Sequence, residues 1–473
     1  MLVYQYTGLA HYLDGQGHRM YTYQAMYEDT IAALSTPLGE GGIGIVRLSG
    51  ASALAITEKL FHHPLKDRRL VYGHIIDPAT KEVVDEVLVS YMAAPHTYTR
   101  EDIVEINCHG GPSPLQRVLE LVLRHGARTA NPGEFTLRAF LSGRIDLAQA
   151  ESVLDVVRAK TSASLRVAVH GLGGSLSQPL KAVRAELMSV LAYLTARIDF
   201  PEDEVAEQEI IPPLERAREM LKELISSAQQ GIVYRQGVRT AIVGRRNVGK
   251  SSLLNRLLRQ SRAIVSPVPG TTRDTVEEVV NLKEVPFVLT DTAGMVQRKG
   301  LVESLGVARS RKAIEQADIV LLVLDASTPL RSSDREIIAL LSELCEKEVL
   351  VAANKCDLPR RATLDNIAWN TVSVSALSGE GLDKLEQMMV DCALGGKVYA
   401  SDALLVSNPR HKACLERAED HLEQALSSIA SQMPDDFITI DLTAALNALG
   451  EITGETVSEE LLENIFGSFC IGK

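Results

Sequence analysis

RTAIVGRRNVGKSSLLNRLL, residues 239–258, decides the fold of the middle of the chain. A short apolar run, a glycine-bearing loop and an amphipathic run of leucines read as strand, loop and helix. The loop fits GxxxxGK[ST] with Gly244, Gly249, Lys250 and Ser251. Glycines at those points let backbone N–H groups turn inward around a phosphate, and a helix starting at Ser251 adds its positive dipole end. Lys250 is then expected to reach the β- and γ-phosphates and Ser251 to bind Mg²⁺. Asn247, Val248 and Ser252 complete the predicted nucleotide loop.

Further strand ends follow in order. FVLTDTAG (287–294) closes a strand at Asp291, and Thr292, Ala293 and Gly294 form a turn that offers the Gly294 N–H to the γ-phosphate. VLVAANKCD (349–357) ends in Asn354, Lys355 and Asp357. A carboxylate there accepts the N1–H and N2–H₂ of guanine. Adenine presents no such donor pair, so the element predicts GTP. SVSAL (373–377) adds a small Ser375–Ala376 turn against the base. These elements at successive strand ends specify a Ras-like P-loop α/β domain with its ligand at the carboxyl edge of the sheet.

Hydrolysis needs another source. In Ras-like enzymes a Gln after the DxxG element orients the attacking water. Here that position is Met295. Glu303 lies a little further along. Asn247 lies in the phosphate loop beside a long switch loop, SPVPGTTRD (266–274). An amide oxygen with nearby carbonyls can hold K⁺ there and supply the charge of an arginine finger. The spacing leaves a plain loop role for Asn247 equally open.

Outward from this domain, 473 residues suggest about three domains. Residues 1–28 hold six of the twelve tyrosines and read as a poorly ordered extension, with Met20 and Met26 as alternative starts. Residues 29–143 mix strand patterns (IGIVRL, EVLVSYM, DIVEIN) with one helix (PLQRVLELVLRHG) and read as an α+β domain. Residues 144–236 are helical by period. Leu180, Val183, Leu187, Val190, Leu191, Leu194 and Ile198 form one stripe, and Leu214, Ala217, Leu221, Leu224, Ile225 and Ala228 another. Residues 237–395 are the α/β domain. The helical period returns over 396–473, so the α/β domain reads as an insertion into one helical domain. The fold class is therefore multidomain α/β.

The longest apolar runs, such as IVLLVL (319–324), are strand-length, and no membrane partner is expected. Six cysteines without CxxC spacing predict reduced thiols and a cytoplasmic protein. The net charge is −12, and residues 415–473 carry twelve Asp and Glu against two Lys and Arg. That face should repel a phosphate backbone, so nucleic acid must use another face or a partner protein.

GRRNVGKSSLLN, PGTTRD, DTAG, NKCD and the terminal FCIGK together resemble the tRNA modification GTPases of the MnmE/TrmE type. So do DTIAALSTPLGEGGIGIVRLSG, EDIVEINCHGG and NPGEFTLRAFLSGRIDLAQAE, and the resemblance runs from about Asp29 to Lys473. It implies a potassium-dependent GTP hydrolase, activated when its GTPase domains meet across a homodimer. It implies an N-terminal domain that dimerises and binds a tetrahydrofolate derivative, 5-formyl or 5,10-methylene. A flavin-dependent partner of the MnmG/GidA type would act with it, in a heterotetramer or larger complex. Together they would add an aminomethyl or carboxymethylaminomethyl group at C5 of the wobble uridine of certain tRNAs.

The resemblance also assigns residues. Asn247, Ser266, Val268 and Thr271 match potassium-loop positions, Gly270 belongs to the same loop, and Ser251 and Thr272 match Mg²⁺ positions. Glu303 matches the glutamate that orients water. Arg47, Glu105, Arg144 and Lys473 match folate-contacting positions. Arg144 stands where Lys is frequent, and Ser266 and Pro269 where Thr and Ala are common. The chemistry of the residues agrees: a carboxylate such as Glu105 suits the adjacent N–H donors of a pterin, and cations such as Arg47 and Arg144 suit a glutamate tail. For Cys470 two readings stand, a buried packing residue closing the last helix or a catalytic thiol beside the folate. A ribosome-assembly GTPase would add a basic RNA-binding module, against which the acidic C-terminal helices argue. A slow structural switch is opposed by Glu303 and the switch loop.

Overall fold

Alternation of apolar side chains over DTIAAL, GIGIVRLS and DIVEINC builds a sheet whose two faces bury different neighbours. The structure, a computed structural model, describes residues 11–13, 19–21, 29–200, 206–260, 277–291, 313–344, 347–365, 367–396 and 406–473. Within 1–28 it describes a short antiparallel hairpin, β1 His11–Leu13 with β2 Arg19–Tyr21. The described chain divides into two compact units, one of residues 1–154 with 453–473, the other of 155–452.

In the first unit β3 Thr30–Leu34, β4 Gly41–Ser49, β5 Arg69–Ile76, β6 Val83–Met92, β7 Ile103–Gly110 and β8 Ala127–Thr129 form a mixed sheet ordered β5-β6-β7-β4-β3-β8. Helices α1 Ala53–Leu60 and α2 Pro112–Arg124 cover one face. Ile56, Leu60, Leu115, Val118 and Val122 pack there on Val46, Leu48, Val104 and Ile106. The residues between these, Arg47 and Glu105, are cross-strand partners and therefore stand on the opposite face. That face is backed by α3 Glu134–Leu141 through Phe135, which packs with Ile31 and Ala33.

The helix α3 begins after Gly133, whose φ is +69° and whose missing Cβ leaves room for the Phe466 carbonyl. Phe466 belongs to the last helix, here α13, Glu459–Gly467. Its aromatic neighbours Phe140 and Phe469 join Leu137, Leu147 and Leu462 in one small core. Arg138 of α3 is fully buried among Asp29, Glu101 and Glu134, at 2.7, 3.1 and 3.0 Å. Glu134 also receives Arg128 at 2.6 Å.

The second unit holds helices α5 Ser162–Leu172, α6 Ser177–Asp199, α7 Ile211–Gln236, α11 Pro409–Ala430 and α12 Asp435–Thr453, while α4 Leu147–Arg158 spans the division between units. Most of the predicted α6 stripe is buried, but Ile198 is 37% exposed and Leu191 only half-buried. A period puts a side chain on a face without supplying a neighbour to cover it. Helix α7 turns directly into β9 Val238–Val243 through Gly237, at φ +79°.

Strand β9 lies between β11 Val285–Asp291 and β12 Ile319–Asp325 in a sheet ordered β10-β11-β9-β12-β13-β14. The others are β10 Glu277–Leu282, β13 Glu348–Asn354 and β14 Thr371–Ser373. All pairings but β10–β11 are parallel. Helices α8 Lys250–Gln260 and α10 Leu382–Leu394 cover one face, α9 Ser332–Leu344 the other. Burial on both faces explains why IVLLVLD reads as one apolar run, buried at every position.

Candidate functional site

Parallel pairing sends the strand ends to one edge. Asp291 ends β11, the glycine loop follows Val243 of β9, Asp325 ends β12, and Asn354 ends β13 beside Asp325 in register. The glycine loop is held open by backbone geometry. Gly244 has φ +146° with the Val323 carbonyl 2.3 Å from where a Cβ would stand, and Gly249 has φ +99°. Asn247 also takes a positive φ, +65°, and is exposed. Successive turns of this kind point N–H groups into a concavity suited to an anion. The Lys250 ammonium donates to the carbonyls of Gly244 and Arg245 at 2.7 and 2.8 Å, which keeps its charge at the loop. Ser251 and Ser252 are exposed on the first turn of α8, and Val248 is fully buried.

The residues expected to face the base are tied to that loop. The Asn354 amide donates to the Val248 carbonyl at 2.8 Å and accepts from the Ala376 N–H at 3.0 Å. At 2% exposure it is a bridge between two loops. Lys355 donates to the Asn247 carbonyl at 3.1 Å and to Asp325 at 2.7 Å. Asp357 is exposed, and Ser375, itself buried, donates to its carboxylate at 2.5 Å. That bond leaves the other carboxylate oxygen for a ligand and fixes the plane of the group.

Sequence reasoning missed Asp325. It is buried beneath the loops, with Arg245 3.6 Å away and Ser327 donating at 2.6 Å. Burial alone would push its carboxyl up, but the Lys355 and Ser327 hydrogen bonds hold it below its ordinary 3.8. The available signal was its place: IVLLVLD ends in a carboxylate, as TAIVG and VAANKCD end in site residues. Ser266, Val268, Gly270, Thr271, Thr272, Thr292, Ala293, Gly294 and Glu303 lie outside the described residues, as does the side chain of Asp291.

A second constellation stands on the first unit's sheet. Arg47 pairs with Glu105 at 2.8 Å, both partly exposed. The Arg47 guanidinium lies 5.7 Å from the Phe135 ring centre, and that of Arg144 lies 4.8 Å from Tyr98. Arg47 also donates to the Gly472 carbonyl at 3.3 Å, as does the Ser35 hydroxyl. Gly472 has φ +94°, and a Cβ there would stand 2.2 Å from the Leu34 carbonyl. The terminal FCIGK thus docks on the end of β3 beside Arg47. Phe469 is buried at 5%, whereas Cys470 is exposed. This corrects the reading of Cys470 as buried packing: Phe469 fills that role. Cys108, by contrast, is buried, and desolvation with the Asp85 charge pushes its thiol up to about 12. The described cysteines are all free thiols, and no described helix is long and apolar enough to cross a membrane.

Two family models match the chain, the GTP-binding protein TrmE N-terminus over residues 30–144 and the MnmE helical domain over 147–470. The tRNA modification GTPase MnmE of Roseiflexus sp. strain RS-1 is 51% identical over 466 residues, 95% of this chain and 100% of the relative. That of Desulforamulus reducens is 45% identical over 465 residues, again 95% and 100%. That of Chloroflexus aurantiacus is 51% identical over 454 residues, 94% and 100%. The solved structure of Aquifex aeolicus Era aligns over 39% of this chain and 66% of its own at 30% identity, with a TM-score of 0.26. Identity sustained over the whole length, on top of the strand-end geometry, makes the chain a member of the MnmE family of tRNA modification GTPases, a GTP hydrolase.

Proposed function

We propose that this chain hydrolyses GTP in a K⁺-dependent manner to drive modification of C5 of the wobble uridine in certain tRNAs. It does so as a homodimer with a flavin-dependent partner protein. The observation that carries the reading is the docking of the chain's last residues on Arg47. It puts the tail that carries the exposed Cys470 beside Arg47, on the sheet face that holds Glu105 and is backed by Phe135.

The residues fit the groups this activity requires. Glu105 and the aromatic floor suit a pterin, and Arg144 and Lys473 suit its acidic tail. A tetrahydrofolate derivative, when bound, supplies the one-carbon unit. In the nucleotide site Lys250 and the loop N–H groups hold phosphates, and Asp357 oriented by Ser375 selects guanine. Ser251 with Thr272 would hold Mg²⁺. Asn247 with Ser266, Val268 and Thr271 would hold K⁺, and these ions neutralise phosphate charge when bound. Asn247 is exposed, so its amide is accessible to a cation. Glu303 would orient the attacking water. Exposed Leu70, Tyr72, Val83 and Leu88 on β5 and β6 give the first unit an apolar face for a second copy.

Two measurements test the reading. Turnover of GTP should rise strongly when K⁺ replaces Na⁺, and Asn247→Ala should abolish the difference while GTP still binds. Mass analysis of wobble uridines in a strain lacking the protein should show the modification missing. Equal turnover in both salts removes the potassium assignment, and intact wobble uridines remove the tRNA assignment.

A further inference from the structure

The chain carries a net charge of −12, yet a cleft in the second unit is basic. It measures about 400 Å³ and is lined by Arg158, Lys160, Arg235 and Arg239, with Asp155 as its carboxylate. Asp155 accepts from Arg235 Nε at 2.7 Å and fixes that guanidinium in the wall. Arg158, Lys160 and Arg239 are exposed. One wall is the start of α5, where Ser164 lines the cleft and the Thr161 hydroxyl caps the Ser164 N–H at 3.0 Å. The positive end of that helix adds to the cations.

We propose that this cleft is a phosphate-backbone site for the RNA substrate, an inference that rests on the tRNA reading above. Four cations against one carboxylate, set in a concave wall, concentrate anions. Three of the four are arginines, whose planar fork suits phosphate oxygens two at a time. The apolar part of the lining is small, Ala159, Val167 and Ala168, with no aromatic ring. A free nucleotide would find no surface on which to stack its base. Contacts of this kind position a polymer without reading its sequence.

The place of the cleft gives it a consequence. Its walls include the junction of α7 and β9, where the chain enters the nucleotide-binding sheet, and Ser407, where the chain approaches α11. Arg239 sits on β9 itself, the strand that runs into the phosphate loop. RNA held here touches the strand that presents GTP.

The test is binding of an in vitro transcribed tRNA with an unmodified wobble uridine to the full-length protein, across salt from about 50 to about 200 mM. The variant is Lys160→Glu with Arg239→Glu, and Lys160→Gln with Arg239→Gln serves if charge reversal disturbs folding. The K⁺-stimulated GTPase without RNA should be unchanged, since neither residue belongs to the nucleotide site. Affinity for tRNA should fall about tenfold or more, and the slope of log K against log salt should flatten by about 1–2, the loss of two phosphate contacts. Native affinity and native slope in the variant overturn the cleft as an RNA site. So does unchanged tRNA affinity with weakened binding of the flavin-dependent partner, which would make it a protein-docking cleft. Failure of the native protein to bind tRNA, alone and with the partner, is a separate result that removes the tRNA reading and the cleft's role with it.

Discussion

Cys470 shows what one residue can and cannot reveal. Its sequence context, the fourth residue from the carboxyl terminus and directly after an apolar helical pattern, is compatible with packing or with chemistry. The structure separates these because Phe469 is buried and Cys470 is exposed while Gly472 anchors the tail. Cys470→Ser nearly preserves volume, so it removes the thiol and little else. We expect normal folding and normal K⁺-stimulated GTPase, with wobble-uridine modification reduced to a small fraction, read by nucleoside mass analysis. Full modification by this variant would mean that the tail matters only for its shape or for Lys473. At this scale the sequence was legible where a motif assigns chemistry, as at Lys250 and Asp357. It was silent on Asp325 and on the Tyr98 and Phe135 rings, whose roles come only from neighbours distant in sequence.

At the scale of elements, the glycine loop and the end of β13 form one mechanical piece. A Cβ at Gly249 would stand 2.2 Å from Asn354 Nδ2, at a φ of +99°. Gly249→Ala therefore strains the loop by about 1–2 kcal/mol. It also displaces an amide that makes two hydrogen bonds, each worth about 1 kcal/mol. Nucleotide affinity should fall by at least about tenfold, since 1.4 kcal/mol is a factor of ten. Titration with a fluorescent GDP checks it, and unchanged affinity would show that the loop and β13 move independently. The period of the sequence located the strands and helices of this region because both sheet faces are buried. It did less well at α6, where Ile198 continues the stripe but faces solvent.

At the scale of the whole molecule, order along the chain predicts less than packing decides. The apolar pattern of α13 marks a helix, but nothing in its period says that Phe466 will meet Gly133 or that Gly472 will meet Leu34. Those contacts join segments more than three hundred residues apart, and they put residues 453–473 in one compact unit with residues 1–154. The same unit holds the buried pair Arg138 and Glu134 together with the half-buried Glu101 and the exposed Asp29, which gives it a pH dependence of its own. Burial alone would push the Glu134 carboxyl up. The Arg128 hydrogen bond, the Asn131 N–H and the Arg138 charge outweigh it and hold the group below its ordinary 4.5. Asp29 is held below 3.8 in the same way by Arg128 and Arg138. Carboxyls lowered on folding contribute stability above their unfolded values and lose it as pH falls through the folded ones. Two compact units should melt in two calorimetric transitions. The one belonging to the first unit should move down as pH falls below 4.5, with the other shifting less. Arg138→Met leaves Glu134 buried without its closest cation on the same helix, at a cost of about 3–5 kcal/mol. In that variant the same transition should drop at neutral pH and lose part of its acid dependence, since Arg128 still pairs with Glu134 and Asp29. A native transition that stays put between neutral pH and pH 4.5 and below would show that the cluster does not set the acid limit of this unit.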